Sequence, residues 1–165
     1  MRHRPPALAL IVLALAGCTT DRPLAVAALP AQVVAPAPGD ALQPGQRQAR
    51  FATYPETLFT AARAACAAPG QSPTEPAPGI LRCETLPTPD IAATLILAYG
   101  GTVEALPLYV ISFSAAPEDS GFLVTADSYV AVPQTDGSLR EVRLSDPAVD
   151  AGMTELLVAA GGEPL

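Results

Sequence analysis

Proline placement constrains this chain more than any other feature. Nineteen prolines occur in 165 residues, and they crowd into the N-terminal third and into the stretch from Pro69 to Pro89. Each proline removes a backbone donor and fixes φ, so neither a helix interior nor a central strand holds one cheaply. Regular structure is therefore expected mainly outside those stretches. Half of the residues are apolar. Much of that fraction is Ala, which buries little area per residue.

The N-terminus has a separate logic. Met1-Arg2-His3-Arg4 is basic, and Ala7 to Ala16 is a continuous apolar run. A membrane span needs about 20 apolar residues, so this run is too short to cross and instead has the length of a signal-peptide core. Leu15-Ala16-Gly17-Cys18 follows. This motif resembles the lipobox of bacterial lipoproteins. The resemblance implies lipid transfer to the Cys18 thiol, cleavage between Gly17 and Cys18, and acylation (palmitate or a similar chain) of the new amino group. Several acyl chains suffice for stable anchoring. Thr19, in place of an aspartate after the lipidated cysteine, favours the outer over the inner membrane, with the protein facing the periplasm.

Charge restricts the partners. Loss of Arg2 and Arg4 with the signal takes the formal charge from −7 to −9, with sixteen acids against the remaining arginines and no lysine. Phosphate backbones and anionic lipids both require clustered cations, so nucleic acid is not an expected partner and membrane attachment must come from the N-terminal lipid. Another envelope protein is the expected partner class.

Residues 18–50 read as a tether. Pro23, Pro30, Pro36, Pro38 and Pro44 should prevent a helix or central strand there. Such a segment reaches on the order of 100 Å when extended. Leu24 to Val34 is apolar and could pack on the domain.

Residues 51–165 should form one α+β domain, a small antiparallel sheet with two or three helices on one face, in the order α-β-(α)-β-β-β-α. A helix is expected from about Tyr54 to Ala68, with Thr53 and Glu56 as a capping box and Leu58, Phe59, Ala62, Ala65 and Cys66 on its apolar face. A Pro-rich loop (70–79) should lead to a strand over Ile80 to Leu86. Asp90 can cap a helix through Tyr99, although Thr94 to Leu97 also fits a strand. Strands follow over Leu108 to Ser114, Phe122 to Val132 and Leu139 to Leu144. A polar loop (116–121) should join the first two, and an Asp136-Gly137 turn the last two. Ser145-Asp146-Pro147 starts a final helix that Gly161-Gly162 ends.

Cys66 and Cys83 remain after lipidation of Cys18. An exported chain meets an oxidising compartment, and a bridge closing roughly 16 residues would contribute about 3 kcal/mol. Two buried thiols or a redox pair are the alternatives, the latter without its usual close spacing.

Without His or Lys, the mature chain lacks the residues for histidine triads, His-ligated zinc, Ser–Lys dyads and Schiff bases. No catalytic residue, metal ligand or cofactor site is therefore expected. Glu118-Asp119 reads as a solvated turn, and Asp127 as a solvent-face residue beside Thr125 and Tyr129. Tyr109, Phe113 and Tyr129 could form an aromatic patch or a sheet core. The expected function is a non-enzymatic envelope accessory or protein-interaction domain. A periplasmic small-ligand or lipid binder, which needs an apolar cavity between helices and sheet, is the alternative. A carboxylate-dependent hydrolase is the remote one.

Overall fold

A computed structural model describes residues 41–165. The expected signal peptide, Gly17, Cys18 and the tether up to residue 40 lie outside the described residues.

The described residues form seven strands with three helices interspersed among them. They are β1 (Gln46–Phe51), α1 (Glu56–Ala65), β2 (Gln71–Ala77), β3 (Ile80–Thr85) and α2 (Pro89–Tyr99), followed by β4 (Leu108–Glu118), β5 (Gly121–Pro133), β6 (Leu139–Val142), α3 (Pro147–Ala159) and β7 (Glu163–Pro164). The strands make one antiparallel sheet in the order β2-β3-β4-β5-β1-β7, with β6 also paired to β5. The α+β class is as expected, but the element order is not, because three strands are additional.

β1 is the largest correction. Residues 46–50 belong to an interior strand between β5 and β7, where a tether was expected. Pro44 stands just before the strand and therefore costs it no ladder bond. β2 replaces the expected Pro-rich loop. It pairs only with β3, so its prolines lie on an edge strand, where a missing donor is tolerated. The hairpin between β4 and β5 is also tighter than expected. Their ladder runs on to Glu118 and Gly121, leaving Asp119 and Ser120 to make the turn.

Strand periodicity sorts the side chains into two faces. Ala49, Phe51, Leu81, Phe113, Val124 and Ala126 share one face, and Leu58, Phe59 and Ala62 of α1 with Met153 and Leu157 of α3 close over them. Leu58 and Leu157 are essentially fully buried. Each such side chain stabilises the fold by about 2–3 kcal/mol relative to exposure. Tyr54 stacks on Phe59 and meets Phe122 edge-on, both at 5.4 Å between ring centroids. Farther along the same face, Leu95 of α2 packs on Val130, Val132 and Val142.

The helix ends have identifiable causes. α1 begins at Pro55 without a side-chain cap, so the capping box of Thr53 and Glu56 does not form. Glu56 still favours the positive end of the helix dipole. α2 settles the ambiguity at residues 91–99 as helix. Thr88 precedes it, Asp90 lies in its first turn, and Gly100 ends it in the left-handed conformation at φ 74°. Asp146 caps α3 by accepting from the amides of Ala148 and Val149, as its sequence implied. No described helix is long and apolar enough to cross a membrane.

Candidate functional site: an apolar groove on the helical face

All three helices lie on one face of the sheet, but they do not cover it completely. Between α1 and α3 lies a hollow of about 350 Å³, floored by Cys83, Ile111 and Phe113. A second hollow of about 200 Å³ adjoins it and runs past Tyr109 and Ser128 toward Leu144. The two share Ile111 and Val149, which makes them consecutive stretches of one groove.

The wall chemistry explains the gap. α3 presents Gly152 to the groove, and a Cβ built there meets nothing within 4 Å. α1 offers only Ala62, Ala65 and Cys66. These small side chains leave Ile111 39 % exposed on a central strand, a position usually covered. No cation lines the groove, and Asp146 is its one acid. The Asp146 carboxylate is already engaged by the two amides it caps. The site is suited to an uncharged apolar guest.

Cys66 and Cys83 sit at disulfide distance, with Cα atoms 5.5 Å apart, and both line the groove. The expected staple therefore also forms one end of the site, tying the end of α1 to β3.

The opposite face carries no described helix, yet its centre is buried and polar. Asp127 is 7 % exposed, against the expectation of a solvent-face residue. Its carboxylate accepts two hydrogen bonds from Arg143, at 2.5 and 3.1 Å, and one from Gln46 Nε2 at 3.1 Å. Arg143 also pairs with Glu141 at 3.1 Å and lies 5.5 Å from the Tyr129 ring centre. The hydrogen bond to Asp127 is the main cause holding the Arg143 guanidinium above its usual pKa. Arg82 donates to the Tyr129 hydroxyl at 3.0 Å, and Gln48 donates to Thr125 Oγ1 at 3.1 Å. Burial is the main cause raising the Tyr129 phenol, and the charge of Arg82 opposes it. These mutual hydrogen bonds explain how most of this polar set tolerates burial, the exception being Arg82 Nε, which is buried without a partner among the described residues.

The remaining candidates do not converge. Glu118 pairs with Arg50 at 3.3 Å in the β4–β5 hairpin, while Asp119 is in the turn itself. Tyr109 and Phe113 are on the helical face and Tyr129 is on the other, so they form no common patch. Among the described residues no three His, Cys, Asp or Glu side chains gather as a metal site would require. The groove itself escaped sequence reasoning, although a glycine inside the α3 pattern was a possible signal. No protein family, curated protein or solved structure matches the chain.

Proposed function

We propose that this chain is a lipid-anchored lipoprotein of the bacterial envelope. Its domain works by binding rather than by catalysis, and the groove receives an uncharged apolar ligand. The supporting observation is the bare aliphatic floor at Ile111, flanked by the empty space at Gly152. Covering such a floor gains roughly 25 cal/mol per Å² of apolar surface. The lipobox-like Leu15-Ala16-Gly17-Cys18 supports the anchor, and the absence of His and Lys from residues 18–165 supports a non-enzymatic role.

The two parts are tested separately. Labelled palmitate should enter the wild type and not a Cys18→Ala variant, which should also leave the membrane fraction. Label persisting in that variant would overturn the anchor. A neutral naphthylamine dye should bind saturably, and Gly152→Leu should weaken it at least tenfold without lowering the melting temperature. Unchanged dye binding in that variant would overturn the groove assignment.

A further inference from the structure

A second apolar surface lies away from the groove, on the outer side of α2. Leu97 is 85 % exposed and Val103 73 %, with Leu86 and Leu106 each more than two-fifths exposed. Together they present apolar surface on the order of 400 Å², the size of the largest patch on an ordinary monomer, which is often functional. The surface is indented. Leu86, Leu97, Val103 and Leu106 border a hollow of about 540 Å³ between α2 and its flanking segments.

Its charges narrow the choice of occupant. Residues 83–107 contain Glu84, Asp90 and Glu104 and no Lys or Arg. Asp90 and Glu104 are exposed and directly follow Pro89 and Val103, two residues that line the hollow. Arg140 is the cation placed against α2, and it is engaged at the far end, stacked 5.4 Å from the Tyr99 ring centre and donating to the Tyr99 carbonyl. The surface is thus an aliphatic trough with an acidic margin. A second copy would bring the same acids face to face. An anionic bilayer would be repelled. The uncharged apolar segment Leu24 to Val34 would leave the margin unpaired.

We propose that the α2 trough docks an amphipathic helix of another protein, aliphatic along one side and basic at its borders. Such a helix buries its apolar stripe in the trough and sets its cations against Asp90 and Glu104. Mutating the acids should mainly slow association and weaken its salt dependence, whereas mutating Leu97 should remove the anchor.

The test uses the full-length chain kept unlipidated by Cys18→Ser and two synthetic amphipathic helices. Both carry the same Leu/Ala stripe, bordered by Arg in one and by Glu in the other. The Arg peptide should bind at least tenfold tighter than the Glu peptide. Leu97→Asp should abolish its binding at an unchanged melting temperature, and Asp90→Asn with Glu104→Gln should erase the preference. Gly152→Leu should leave binding intact, which separates this site from the groove. Equal binding of the two peptides would overturn the proposal, as would insensitivity to Leu97→Asp. Self-association through Leu97, or peptide binding that appears only after deletion of residues 24–34, would assign the trough to one of the other occupants instead.

Discussion

Replacing Asp127 by Ala tests the polar face most directly. The carboxylate receives three hydrogen bonds, two from a guanidinium, and the ion-paired side chains are 10 % and 17 % exposed. Its removal strands Arg143 and the Gln46 amide together. Breaking a buried pair from one side costs 3–5 kcal/mol when nothing else meets the abandoned charge. Here Glu141 remains 3.1 Å from Arg143 and is itself 44 % exposed, so part of the charge stays compensated. About 3 kcal/mol is therefore expected for Asp127→Ala, a fall of roughly 10 °C in melting temperature for a domain this size. Asp127→Asn keeps an acceptor and should cost about half as much. Asp127→Leu combined with Arg143→Leu removes both charges, and should be less destabilised than Asp127→Ala even with Gln46 left unpaired. Urea denaturation followed by far-ultraviolet circular dichroism reads all three. A loss below about 1 kcal/mol for Asp127→Ala would refute the reasoning, as would a double variant less stable than that single one.

Three further outcomes follow from the same structure. Cys66→Ser with Cys83→Ser should lower stability by about 3 kcal/mol, and reductant should then leave the thermal melt unchanged while shifting that of the wild type; equal melts of oxidised and reduced wild type would refute the staple. Burial raises the Tyr129 phenol above 10.0, so the neutral form is favoured in the fold. Its contribution is complete below the unfolded value and lost as pH rises through the folded one, so wild type should lose stability at alkaline pH faster than Tyr129→Phe; parallel pH–melting curves would contradict this. Gly152→Ala places a methyl in open space inside α3 and should stabilise by about 1 kcal/mol, measured by denaturant midpoint, with an unchanged or lower midpoint counting against it.

The parts legible in sequence were those where a local rule and the tertiary fold agree. Asp146-Pro147 starts α3 because cap and proline act within one turn. The long β4 and β5 show their apolar pattern because they are central. β1 was hidden because it faces two environments. Arg47, Ala49 and Phe51 alternate on the helical face, but the other face bears Gln46 and Gln48, whose burial depends on Asp127 and Thr125 far along the chain. A strand whose second face is satisfied by distant polar partners reads locally as solvated coil. Asp127 misled for the same reason, since its partner Arg143 lies beyond a turn, at the end of β6. The groove and the α2 trough are spaces between elements. Residue patterns encode what fills space more readily than what leaves it empty.

The interior place of β1 has a consequence for the order in which the chain can assemble. β1 is the first of the described strands, yet its two neighbours are residues 122–127 of β5 and the dipeptide Glu163–Pro164. Gly162 also lies so close to Phe51 and Ala49 that a Cβ there would clash with both. A nascent chain can therefore form the β2–β3 hairpin as it emerges, but β1 finds its first neighbour only once residues 122–127 exist and its second only with residues 163–164. Both contacts close long loops, so completing the sheet around β1 is a late, long-range step. A truncation of only a few C-terminal residues should leave β1 with an open edge.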